Sequence, residues 1–504
     1  MLHIIADSGL QFHTIEVEFD PAQQLTLPAG RPLKYSFCNI KNPDTGERIF
    51  DLLSYNSAVG RFIPVNEIVT NRAMELLADG RPRLDDCGVE IMRQDVSPTF
   101  YNQIEPGDSE KLFTFNSPAS YKTPNPANVH ERVPAFELIL GKWLPMPMFE
   151  MHTGVSADVP YAWCRVKIDR VAEGSQAGSD IYRFTWAFDT QISTDDLAIF
   201  RPTFPVEGID KLEFGLCNQV SNLLSFMSPK GDFTVFSHYI AEILGLDPAS
   251  NSYKYVGWYI YLINFIRMIG ASPEVTLHRC PANREIPVDL VLDIGNSRTC
   301  GLLFENGDFT KATMLSLRDI SDPSKVDDQP FDMRLVFRQA DFANDIVIED
   351  EDMFRYPSMV RVGSEAKKLV YRSIESEGLW ASTTNYSSPK RYLWDTRMFK
   401  HKWEFLTTDS DPLYIREAEN IYVPGLSDQF DASGEFIRDF DNMVEPTDGH
   451  THYSRASLMT FVLVEVLQQA LMQINSEDFR KHGDINCKRI LRNLILTCPT
   501  AMPK

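Results

Sequence analysis

The sequence predicts an α/β protein built from more than one unit: a β-rich N-terminal region over residues 1–235, a helical connector and linker over 236–284, and an α/β domain over 285–504. Three observations lead there. The 504 residues exceed what one hydrophobic core organises, since domains of roughly 100–200 residues are usual. Short β-branched and aromatic runs broken by Pro and Gly fill the first part, the pattern of strands and turns. Beyond Pro287 the pattern changes to a long apolar strand, a tight loop and, later, a long apolar helix.

In the N-terminal region, Thr14–Phe19 and Ile181–Phe188 read as strands, and Val133–Leu140 and Trp163–Val171 read as paired strands of a sheet with one wet face. Ile240–Leu246 and Val256–Ile269 turn helical. The second stretch contains Asn264 and Arg267 and falls short of the ~20 residues a bilayer requires, so it reads as a buried helix rather than a membrane span. Pro273, Pro281 and Pro287 mark the linker, with the domain boundary near Glu285.

Lys and Arg total 49 against 70 Asp and Glu, and a formal charge of -21 repels a polyanion, which excludes nucleic acid as a general partner. A bound nucleotide remains compatible, because a few backbone N–H groups, one Lys and a divalent cation offset phosphate charge locally. The cysteines at 38, 87, 164, 217, 280, 300, 487 and 498 form no Cys-x-x-Cys pair and fit reduced thiols in a cytosol. The start, Met1-Leu-His-Ile-Ile-Ala-Asp, has neither a basic nor a long apolar segment, which points to a cytoplasmic protein and leaves non-classical export open. The acidic cluster Asp345–Asp352 and the pair His450 and His452 read as solvated loops rather than metal sites, and Ser297 has no adjacent His for a nucleophile triad.

The chemistry-bearing motif begins at Val288. The apolar run Val288–Asp293 suits a central strand and leads through Ile294-Gly-Asn-Ser-Arg-Thr into a second run, Cys300–Glu305. Asn306-Gly307 supplies a tight turn, and a third strand over Asp308–Leu317 completes a meander. Gly295, lacking Cβ, lets backbone approach a phosphate, and the following positions, Asn296, Ser297, Arg298 and Thr299, offer amides and hydroxyls to its oxygens. Asp293 at the strand end is the Mg candidate, through the ion's water shell, because Mg is usually anchored by one or two carboxylates.

This loop resembles the first phosphate motif of the superfamily containing actin, DnaK-like heat-shock chaperones and sugar kinases. Tyr356-Pro-Ser-Met-Val and Val362-Gly-Ser-Glu-Ala-Lys-Lys resemble the chaperone Pro-Ser strand and its Val-Gly-x-x-Ala-Lys sequel. Ser388-Pro-Lys-Arg-Tyr-Leu resembles the segment whose lysine assists hydrolysis, which falls on Lys390. A long apolar helix over Ser457–Asn475 then leads to Arg489–Thr500, similar to the chaperone strand that ends Thr-Val-Pro-Ala. The resemblance implies the first lobe of an actin-like (ribonuclease H-like) ATPase fold, with ATP and Mg as ligands and Asp293 and Lys390 as catalytic residues. Asn296 departs from the chaperone Thr, and the second phosphate and adenosine motifs are not found before Lys504, so the chain reads as truncated.

Taken whole, the chain most resembles the bacterial SrfB virulence-factor family, which implies protein partners, products of the same operon among them. Three alternatives stay open. One is a small-molecule kinase, since the loop also resembles the opening of type III pantothenate kinases, although here it begins only at Val288. Another is a catalytically silent scaffold that keeps the fold. The third is a docking role carried by the N-terminal region alone.

Overall fold

The structure is a computed structural model that describes residues 1–20, 35–41, 48–56, 61–64, 139–151, 161–191, 208–216, most of 259–270, 271–340, 356–375, 385–395 and 455–497, with a few isolated positions between them. The acidic cluster at 345–352, His450, His452 and the segment 240–246 lie outside the described residues.

Among the described residues ten strands precede Ile286: β1 (Leu2–Ile5), β2 (Leu10–Phe19), β3 (Tyr35–Lys41), β4 (Arg48–Asn56), β5 (Arg61–Pro64), β6 (Trp143–Glu150), β7 (Tyr161–Glu173), β8 (Asp180–Asp189), β9 (Lys211–Leu216) and β10 (Val275–His278). Seven of them form one sheet in the order β1-β10-β9-β6-β7-β8-β2, and β3-β4-β5 form a separate antiparallel sheet. The two edge strands of the large sheet, β1 and β2, follow one another in the chain, so residues 6–9 bridge its rims and the sheet is nearly closed. That bridge is held from both sides. Ala6 N–H donates to the His278 carbonyl at 2.9 Å, Asp7 N–H to Thr190 at 2.7 Å, and the Ser8 hydroxyl to Ile5 at 2.7 Å.

Alternation places the side chains. In β2 the exposed Thr14, Glu16 and Glu18 alternate with partly buried Ile15 and Val17, as one-sided burial requires. The first half of β7 departs from the expected wet face: Trp163, Cys164, Arg165 and Val166 are all fully buried. Its neighbour also differs from the expected one. β7 pairs with β6 and β8, whereas Ile139 and Leu140 lie in a turn and 133–138 fall outside the described residues. Pro145 and Pro147 explain why β6 does not read as a strand, since proline removes ladder donors. The ladder accommodates them with a register shift between Met146 and Met148.

The apolar stretch at 256–269 is helical where described, and Tyr259, Leu262, Ile263, Phe265 and Ile266 are buried in the core of the large sheet while Arg267 is exposed. Phe265 meets Phe19 edge-on at 5.2 Å, and Trp186 donates to the Ala271 carbonyl at 3.0 Å. This helix and β10 therefore belong to the N-terminal core rather than to a separate connector. The chain crosses to the second unit through a single 3-10 turn, Ala282–Arg284.

The second unit contains β11 (Ile286–Ile294), β12 (Arg298–Glu305), β13 (Thr313–Met314), β14 (Leu317–Arg318), β15 (Val326–Asp327), β16 (Phe331–Asp332), β17 (Arg334–Phe337), β18 (Val360–Val362), helix α1 (Gly363–Glu375), β19 (Asn385–Ser387), helix α2 (Leu458–Asn475) and β20 (Arg489–Leu496). Its sheet runs β13-β12-β11-β20, with β16 also on β12. β12 is antiparallel to β11, and β20 is parallel to it after the α2 crossover. β17 lies between β18 and β19 in a small antiparallel sheet. The third strand of the meander is shorter than expected, because Asp308 captures the Thr310 N–H at 3.0 Å and turns the chain, leaving only Thr313–Met314 to pair.

Val288, Leu290 and Leu292 of β11 are fully buried against Phe461, Val462, Val466 and Ala470 of α2. The segment Arg455–Asn475 is by length and composition apolar enough to cross a membrane, and 61% of that stretch is buried inside the structure. Two glutamines one helical turn apart on α2 extend the sheet's bonding. Gln473 exchanges hydrogen bonds with Ser316 N–H and the Met314 carbonyl, and Gln469 with both backbone groups of Arg318, all at 2.8 Å.

The second unit holds a buried ionic network. Arg361 of β18 is 3.0 Å from Glu465 of α2 and 4.0 Å from Glu365 of α1, and all three side chains are at most 5% exposed. Tyr356 and Gln469 also donate to Glu465, at 3.1 and 2.8 Å. Glu365 accepts from the N–H groups of Ile320 and Ser321, in a loop that rests on the N-terminal sheet through Lys167 and Arg183. One guanidinium faces two carboxyls. Burial pushes Glu365 up to about 8 despite the opposing pull of Arg361, with Asp319 and Glu465 adding to the rise.

The folded value lies above the ordinary one, so Glu365 contributes stability that is complete below about pH 4.5 and is lost as pH rises through about 8. Urea midpoints of wild type should therefore fall between pH 5 and 8 (about those values), with Glu365→Gln removing most of that slope. Arg361→Met, which strands Glu465, should cost about 3–5 kcal/mol at neutral pH.

Candidate functional site

β11 carries core residues on one face, and its last inward residue, Ile294, sits opposite Thr299 across the hairpin. Between them the chain reverses through Gly295 to Arg298, with the Gly295 N–H donating to the Arg298 carbonyl at 3.0 Å. A Cβ on residue 295 would lie 2.4 Å from that carbonyl oxygen, so glycine is required by the loop's own backbone.

Three distant segments converge on this loop. Met333, between β16 and β17, donates its N–H to the Ser297 carbonyl at 2.8 Å, and Ser388 donates its own to the Met333 carbonyl at 2.6 Å. Ser388 is held left-handed at φ 55, a conformation costly for a residue with Cβ, and it launches the 3-10 turn Pro389–Tyr392. From that turn Lys390 reaches back, its Nζ donating to the Ile294 carbonyl at 2.5 Å. The third segment is the end of β20. Thr497 N–H donates to the Leu292 carbonyl at 3.0 Å, and its hydroxyl to Asp293 Oδ1 at 2.5 Å.

The residues singled out in the sequence thus separate into groups. Asp293, Asn296, Ser297 and Arg298 are exposed around the loop. Arg298 is engaged with Asp332 at 3.4 Å. Thr299 faces inward, 2% exposed, and its hydroxyl donates to Met333 Sδ at 2.9 Å, because a residue opposite Ile294 shares its core face. Its side chain is therefore turned away from the exposed loop. Thr497, Met333, Ser388 and Asp332 escape a linear reading. The Thr-x-Pro ending of β20 was the one local signal for Thr497, and the other three act through backbone atoms or exposed pairing.

Lys390 bonds to the carbonyl of the residue that follows Asp293, and the Asp293 carboxylate bonds to Thr497. Among the described residues Asp293 Oδ2 has no hydrogen-bond partner, and no group of three or more His, Cys, Asp or Glu is placed to cage a metal. One exposed carboxylate with an open oxygen fits Mg, which retains most of its waters and takes phosphate oxygens as further ligands. Two cavities of about 940 and 700 Å³ are lined by other residues.

Gly295→Ala should lower the thermal midpoint of this unit, at a cost of about 1–3 kcal/mol, because the hairpin must open to admit the methyl group. A midpoint equal to wild type would show that the loop is looser than its backbone bond implies.

Comparison with curated proteins and with solved structures finds no match to the chain. Residues 102–504 match the family model described as virulence factor SrfB, and the chain belongs to that family.

Proposed function

We propose that the unit from Ile286 to Thr497 is the first lobe of an actin-like, ribonuclease H-like ATPase fold that binds Mg and ATP at the 293–299 hairpin. The observation that carries this reading is the contact of Lys390 with Ile294. The lysine that the resemblance marks bonds to the residue between Asp293 and Gly295, which supports the reading. The strand order β13-β12-β11-β20, a meander followed by a helical crossover to a parallel neighbour, supports the same fold.

In this reading the amides around Asn296 and Ser297 bind phosphate oxygens, and Asp293 anchors Mg through its open oxygen and the ion's water shell. Bound Mg supplies charge neutralisation on the phosphate chain. Lys390 exchanges its carbonyl partner for a phosphoryl oxygen and stabilises charge on the group transferred to water, a positioning and electrostatic role. Its bond to Ile294 holds the ammonium ready without committing it to Asp293. The loop's exposed setting suits one side of a two-lobed cleft. Membership of a virulence-factor family supports protein partners for the nucleotide-dependent state.

Calorimetry with Mg-ATP on wild type, Asp293→Ala and Lys390→Ala tests the reading. Wild type should bind, and Asp293→Ala should weaken binding by about tenfold or more, equivalent to ~1.4 kcal/mol. Lys390→Ala should reduce any hydrolysis more than it reduces binding. Equal heats from wild type and Asp293→Ala overturn it.

A further inference from the structure

We propose that Thr497 is the positioning residue for Asp293, fixing which carboxylate oxygen is presented to the cation; this rests on the Mg-dependent reading above. A carboxylate at a strand end rotates broadly about its last torsion, so a cation site built on one exposed Asp is poorly defined unless something fixes that rotation. Here the fixing group comes from the neighbouring parallel strand. Thr497 is tied to β11 by its own N–H on the Leu292 carbonyl at 3.0 Å, and its β-branched side chain has restricted χ1 freedom. Its hydroxyl therefore arrives with its direction set, and the 2.5 Å bond to Oδ1 lies at the short end for a hydroxyl on an ionised carboxylate.

The consequence is a division of labour within one side chain. Oδ1 is committed to Thr497, and Oδ2 is left without a partner among the described residues. Asp293 thus offers a single oriented oxygen, the arrangement suited to an ion that keeps its water shell. Hydrogen bonds to a metal-binding carboxylate typically alter metal affinity by about 10–100-fold when removed.

The full chain carrying Thr497→Val, Thr497→Ala or Thr497→Ser is titrated with Mg at fixed ATP, and the half-saturating Mg for nucleotide binding is read by calorimetry. Val and Ala should raise it by about 10–100-fold, and Ser, which restores the hydroxyl, should return it to within about threefold of wild type. Binding measured in EDTA should be the same in all four proteins, an outcome that a general loss of structure would not produce. Wild-type Mg dependence in the Val and Ala variants overturns the role of Thr497 alone, and so does a Ser variant that behaves like Ala. Absence of Mg-dependent binding in wild type overturns both this inference and the reading on which it rests.

Discussion

β11 is hydrogen-bonded along both of its edges, antiparallel to β12 on one side and parallel to β20 on the other, and the second unit is arranged around that fact. A strand with one partner can fray at its end. A strand with two holds its last residues in place, and here those residues are Leu292, Asp293 and Ile294. Each presents a group to a different segment: the Leu292 carbonyl to Thr497 N–H, the Asp293 carboxylate to the Thr497 hydroxyl, and the Ile294 carbonyl to Lys390. The candidate site is the exposed end of a buried strand, and its precision comes from core packing of Val288, Leu290 and Leu292 behind it.

The second unit meets the N-terminal sheet through apolar and polar contacts together: Phe342 packs on Phe12 and Trp143, Ile320 and Met472 join the same core, and Lys167 and Arg183 bond to Ser321 and Ser324. Arg361, Glu465, Glu365 and Tyr356 form a buried cluster whose members come from β18, α2, α1 and the approach to β18. Such a cluster is costly to desolvate, the more so because Arg361 Nη2 is buried without a partner among the described residues, and its directed bonds restrict how β18, α1 and α2 can pack. The glutamines of α2 act in the same sense, since side-chain amides that copy a backbone ladder set the helix in one register against residues 314–318.

Much of the second unit was legible in the sequence because its signals are local. The apolar run of β11, the glycine loop, the turn at Asn306-Gly307 and the apolar helix α2 each occupy adjacent residues with a recognisable period. The site itself was legible in part. Asp293 and the loop declare themselves in sequence, and Lys390 through its order behind them, whereas the inward turn of Thr299 follows only from its register opposite Ile294. Thr497 gains its role from a parallel neighbour more than two hundred positions away in register, which no local pattern encodes. In the N-terminal sheet the illegible strands are β6, masked by two prolines and a bulge, and β10, four residues long beside Pro273.

The nearly closed sheet has a consequence for the order of synthesis. β1 emerges about 270 residues before its partner in the sheet, β10, at Val275–His278. At translation rates of about 5–20 residues per second, that partner follows β1 by tens of seconds. β1 must therefore wait without that partner while the rest of its sheet is made. β1 becomes the closing stave of the nearly closed sheet rather than its foundation.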